Sequence, residues 1–115
     1  MPADPTITDP GLYRVIFEND RVRVLEYRDR PGDRTSRHGH PDSVMVTLSA
    51  FSRRLHGGDG RQADVDLPAG QVRWIGAQEH AGENIGTTES HSVFVEKEPS
   101  PAGPPAGETP LGPGT

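Results

Sequence analysis

The chain contains no cysteine, which excludes disulfides, thiolate metal sites, iron–sulfur clusters and cysteine nucleophiles together. Any transition metal must be held by His, Asp, Glu or Gln. Apolar material is also scarce: 30% of the 115 residues are hydrophobic, enough for one small core and not for two. No apolar run approaches the roughly eighteen residues of a membrane span, and Met1-Pro2-Ala3-Asp4 lacks the basic and apolar regions of a signal peptide. A cytoplasmic protein without a membrane partner is the expectation. A basic face is missing as well. The formal charge is −5 with the acidic residues spread along the chain, and Arg53 and Arg54 are too few to displace counterions, so no nucleic-acid partner is expected. Finally, no serine sits in a Gly-x-Ser-x-Gly turn and no glycine loop is shaped for phosphate, which argues against a hydrolase triad or a nucleotide site.

Helical periodicity is absent too, since nowhere does an apolar repeat persist for three helical turns. Short alternating segments separated by turn residues take its place, and they read as an all-β domain. Val15 to Phe17 and Val22 to Tyr27 flank Asn19-Asp20 as a hairpin. Ser43 to Leu48 forms another strand with Val44, Val46 and Leu48 on one face. Ser52 to Leu55 and Ala63 to Leu67 flank Gly57-Gly58-Asp59-Gly60, a connection rich in the positive-φ residue a tight hairpin needs. Pro68-Ala69-Gly70 turns into Gln71 to Ile75, and Ser92 to Glu96 closes the domain. Eight or so short antiparallel strands without crossover helices predict a sandwich or barrel.

The ends differ in composition. From Pro99 onward, six prolines and four glycines occur in seventeen residues, so 99–115 reads as a disordered tail that cannot offset its ordering entropy. Residues 1–10 read as a flexible segment, with Ile7 able to dock on a sheet edge. The barrel is assigned to 11–98.

Within that barrel, His38-Gly39-His40 is the most informative sequence. Two histidines one residue apart on a strand share a face, with Cα atoms about 6.6 Å apart at about 3.3 Å per residue. A third imidazole, His80, from a distant strand would complete a set of neutral nitrogen donors. Such a set suits iron, zinc, copper, nickel or manganese and leaves coordination positions open.

Pro31-Gly32, five residues, His38-Gly39-His40, and then Gly70 through His80-Ala81-Gly82-Glu83-Asn84 resemble the two motifs of small single-domain bacterial cupins, over roughly residues 14–97. The resemblance implies a cupin-type jelly-roll β-barrel with His38, His40 and His80 as metal ligands near the wider mouth. It implies a mainly structural position for Asn84, and a homodimer sharing the edge around Tyr13 to Phe17. Three positions depart from the motifs. Val44 or Met45 stands where a glutamate ligand is expected, the proline and glycine before His80 are absent from Ile75-Gly76-Ala77-Gln78, and Ala50 replaces a closing glycine. Without the glutamate, a divalent ion held by three neutral imidazoles keeps its full charge and should attract an anion.

Around these ligands, Glu79 is a candidate general base because a carboxylate in reach of metal-bound water could take its proton, although a solvated turn is the commoner fate of such a residue. Gln78 and Glu79, which precede His80, could also supply a replacement fourth ligand, and Glu83 has the same status as Glu79. Met45 and Trp74 are candidate pocket walls with Phe51 and Phe94; Arg73 and Trp74 must face opposite ways, so only one lines the cavity. His56 reads as an exposed hairpin residue and His91 as a turn histidine facing water. The functional expectation is a three-histidine metal cupin acting on a small anionic organic molecule, as a dioxygenase or as a Lewis-acid cyclase, lyase or isomerase. The competing expectation is a non-catalytic binding or sensing module, with or without metal.

Overall fold

The computed structural model describes residues Ala3 to Lys97; the tail assigned to 99–115 lies outside the described residues. One helical turn, α1 (Pro5–Thr8), precedes nine strands: β1 (Tyr13–Glu18), β2 (Val22–Asp29), β3 (His38–His40), β4 (Ser43–Thr47), β5 (Phe51–Gly57), β6 (Gln62–Leu67), β7 (Val72–Ile75), β8 (Gln78–Asn84) and β9 (Ser90–Lys97). They form a five-stranded sheet ordered β1-β2-β9-β4-β7 and a four-stranded sheet ordered β3-β8-β5-β6, with every pairing between strands antiparallel. This is the all-β jelly-roll barrel, or double-stranded β-helix.

Local chemistry sets the hairpins. Asn19 Oδ1 accepts from the backbone N–H of Arg21 and Val22 at 2.8 and 2.9 Å, closing the β1–β2 turn through a side chain. Gly60 and Gly70 hold φ of 85° and 81°, conformations that side chains other than glycine resist, at the two turns that bracket β6. A bulge at Ile16 shifts the β1–β2 register between Val15 and Phe17.

The core lies between the sheets. Met45 from one sheet meets Phe51 and Leu67 from the other, with Val65, Ile75 and Phe94 packed around them, and Tyr13, Leu25 and Tyr27 form a second cluster that Phe94 joins to the first. Strand phase is notable on β4: Ser43, Met45 and Thr47 are the buried positions, so Val44 and Val46 point outward, and Leu48 is exposed beyond the strand's end.

Residues near the start of the chain, read from composition as flexible, instead make a capped turn. Asp4 caps α1 by accepting from Thr6 N–H and pairs with Arg23, while the Ala3 carbonyl accepts from Gly39 N–H at 3.0 Å. Burial disfavours the Asp4 carboxylate, but hydrogen bonds from Arg23 and Thr6 outweigh it and hold its pKa below the usual value. These polar anchors, invisible to an apolar-content argument, tie the segment to the strand carrying His38 and His40.

Candidate metal centre and adjoining cavity

Register brings the histidines together. His38 on β3 lies directly opposite His80 on β8, with Gly39 opposite Glu79 and His40 opposite Gln78. The ring centroids are separated by 4.7 Å (His38–His40) and 5.0 Å (His38–His80 and His40–His80). One nitrogen from each ring lies within 4.8 Å of the others. Among the described residues, no carboxylate joins this group.

Each imidazole is held by its other nitrogen. His38 Nδ1–H donates to the Ser36 carbonyl at 2.8 Å, His40 Nδ1–H to Glu96 Oε2 at 2.8 Å, and His80 Nδ1–H to Gln78 Oε1 at 2.9 Å. Three acceptors on three Nδ1 atoms fix the tautomers, leaving each Nε2 as a lone pair; this is how metal-bound histidines are oriented. His40 Nε2 is buried with no hydrogen-bond partner. A buried, unpaired acceptor is costly unless something occupies it, and the donor set of three imidazoles fits a first-row divalent ion.

Burial favours the neutral form of His80 and His38. Burial, then the neighbouring His40 and His38, push the His80 pKa down to about 3, and burial followed by His40 lowers that of His38. Neutral imidazole is the form that binds metal. Behind His40, Glu96 also accepts from Arg23 at 2.8 Å, and both Glu96 and His40 are almost fully buried. Tyr13 Oη is 3.5 Å from His38 Nε2, and burial raises its pKa, so it remains a hydroxyl donor.

A cavity of about 200 Å³ adjoins the imidazoles, and its lining includes His38, His80, Met45, Phe51, Phe94 and Arg53. Met45 is among the residues that line it. Trp74 is not: β7 alternation turns Arg73 toward the cavity and leaves Trp74 on the outer face, 67% exposed. Glu79 is likewise misplaced as a base. It sits between Gln78 and His80 on a strand whose inward positions are His80, Gly82 and Asn84, so its side chain faces outward, where it lies 3.5 Å from Arg37. The amide of Gln78, not the carboxylate of Glu79, meets His80.

Other histidines lie elsewhere. His56 Nε2 approaches Glu83 at 3.3 Å, and His91 Nε2 lies 2.8 Å from Glu26 Oε2. Asn84 is a buried connector, donating to Asp29 Oδ1 at 2.9 Å and the Thr88 carbonyl at 2.8 Å while accepting from Gly86 N–H. Sequence reasoning overlooked Glu96, Tyr13, Asp29 and Arg53. For Glu96 the sequence carried half a signal: it shares strand parity with Ser92 and Phe94, opposite the valines of β9, and only the structure shows that this parity is the inward one.

Comparison with known structures follows the same lines. The fold matches a cupin domain from Bordetella pertussis Tohama I with a TM-score of 0.70 and 29% identity, covering 76% of this chain and 92% of that one. It also matches an uncharacterized conserved protein with a double-stranded beta-helix domain from Klebsiella pneumoniae, at TM-score 0.61 and 25% identity over 80% of this chain and 79% of that one. The polyketide cyclase RemF from Streptomyces resistomycificus shares the fold at TM-score 0.56 and 21% identity, over 74% of this chain and 63% of that one. No protein-family model and no curated protein sequence matches the chain. With the two motifs and the barrel in hand, these likenesses support a small cupin-superfamily domain. No helix among the described residues is long and apolar enough to cross a membrane.

Proposed function

We propose that His38, His40 and His80 hold one divalent transition ion through their Nε2 atoms, and that the protein acts on a small anionic organic molecule bound in the adjoining cavity. The observation that carries this reading is the common anchoring of all three Nδ1 atoms, together with one nitrogen of each ring lying within 4.8 Å of the others. A first-row ion there would supply Lewis acidity, and iron or copper would add redox chemistry. Around it the chain's own groups bind and orient. Tyr13 offers a hydroxyl donor beside His38, while Met45, Phe51 and Phe94 give the cavity an apolar wall. A Lewis-acid cyclase, lyase or isomerase and a dioxygenase both fit this frame; the polyketide cyclase with the same fold keeps the former in view.

The test is elemental analysis of untagged protein as isolated, per chain, beside His80→Ala. Near one equivalent in the wild type and near none in the variant is the expected outcome. Metal retained by the variant would refute the ligand assignment. One feature favours the second reading, a binding or sensing module: with Glu79 outward, no carboxylate among the described residues lines the cavity as a base.

A homodimer belongs to the same reading. Phe17, Val24, Val95, Val44 and Trp74 occupy matching register positions across all five strands of the larger sheet, continuous with the β1 edge. A two-fold contact brings a patch onto itself, which favours compensated charge. Glu26, bordering the row, is already paired with both Arg14 and His91.

A further inference from the structure

The cavity also holds a cation that the metal reading does not use. Arg53 projects inward from β5, its side chain only 11% exposed. Its Nη1 donates to Asp29 Oδ2 at 2.5 Å and to Ser90 Oγ at 3.4 Å, and its guanidinium carbon sits 4.9 Å from the centroid of the Tyr27 ring. Among the described residues, Nε and Nη2 donate to no acceptor, although Arg53 lines the cavity. A guanidinium cannot shed its proton or turn donors into acceptors. Neither nitrogen is among the fully buried unpaired atoms of the described residues, so both are open to an acceptor that enters the cavity.

The position is built, not incidental. A Cβ on Gly82 would stand 2.6 Å from Nη2 and 3.4 Å from Cζ, so the guanidinium lies across β8 only because residue 82 has no side chain. Asp29 is itself immobilised by Tyr27, Asn84 and the Ser90 amide. Those neutral donors hold the Asp29 carboxylate on the Nη1 side, so the edge of the guanidinium away from Asp29 keeps its hydrogen-bonding capacity unused. That edge, Nε with Nη2, is the planar fork that takes both oxygens of a carboxylate.

We infer that Arg53 is a carboxylate-binding residue, and that the cavity takes a small organic acid with an apolar body. Its carboxylate would lie on the Nε/Nη2 edge and a second oxygen donor would point toward the imidazoles, which begin two residues away along β8, roughly 6.6 Å. Met45, Phe51 and Phe94 wall the apolar body. This rests on the metal-centre reading only for the second point of attachment; the carboxylate subsite stands without it.

Benzoate and its neutral isostere benzamide, titrated calorimetrically into chelator-treated protein, test the subsite with no ion present. Benzoate is expected to bind about tenfold or more tightly than benzamide, as hydrogen bonds to a charged group predict. Arg53→Lys, which keeps the charge and loses the fork, should reduce benzoate affinity by about tenfold. The double variant Arg53→Met with Asp29→Asn, which leaves no unpaired buried charge, should erase the preference for benzoate; its folding is checked by its melting transition. Absence of saturable benzoate binding, equal affinity for the two probes, or unchanged affinity in Arg53→Lys overturns the inference. Zinc equivalents measured on the same wild-type protein separate the two proposals. Loss of metal stoichiometry with the benzoate preference intact removes the metal centre and leaves the carboxylate subsite standing.

Discussion

On β9, Val93 and Val95 face outward while Ser90, Ser92 and Glu96 are buried; on β4, Val44 and Val46 face outward while Ser43 and Thr47 are buried. A half-solvated sheet ordinarily shows the reverse, apolar inside and polar outside. The inner face keeps its polar groups because most are hydrogen-bonded. Thr47 Oγ1 donates to the Pro68 carbonyl at 2.7 Å and accepts from Gln71 N–H at 2.9 Å, while Asp29 and Glu96 each hold an arginine. The outer face keeps its valines and Trp74 without such a network. The contrast teaches that the inner face carries the hydrogen-bonded polar groups, and that apolar surface remains on the outer wall, where the proposed second copy would sit.

The contrast can be attacked from its strongest side first. Asp29→Ala strands the buried Arg53 and is expected to cost about 3–5 kcal/mol of stability, read from urea unfolding of metal-free protein. A cost below about 1 kcal/mol would mean the pair behaves like an exposed one. Glu96→Gln probes the same face at the metal end. With its oxygen kept on Arg23, the new amide N–H would point at His40 Nδ1 and force the wrong tautomer, so zinc affinity should fall by about 10–100-fold in a chelator competition. The smallest expected effect lies on the outer face: Val46→Thr should change the unfolding free energy by no more than about 0.5 kcal/mol at high dilution. There Trp74→Glu should shift the sedimenting species from dimer to monomer, and a wild type that sediments as a monomer would empty the outer face of that role.

Much of this was legible in the chain. Turn residues at 19–20, 57–60 and 68–70 and the segments between them gave the strand layout, and His-x-His with His80 gave the cluster. What escaped was strand phase. Valines at 44, 46, 93 and 95 look like core by hydropathy, yet their serine, threonine and glutamate neighbours are the buried ones. Periodicity of two reports alternation but not which face is inside. The same ambiguity misassigned Glu79 and Trp74, each adjacent to a residue that does face the cavity. Arg53 was legible only as part of a charge count, because the pair it forms with Asp29 joins strands β5 and β2, and no spacing rule connects them.

The Glu96 carboxylate that orients His40 is 56 residues away in sequence, on the last strand, and its other oxygen holds Arg23, which in turn holds Asp4. The consequence is temporal. During synthesis His38 and His40 emerge long before the partner that sets their geometry, and contacts of such separation form late and slowly. The anchored histidine set is completed only when β9 inserts between β2 and β4, so the proposed loading with metal would belong to the finished chain, and protein cut short before Glu96 would carry the motif without the arrangement.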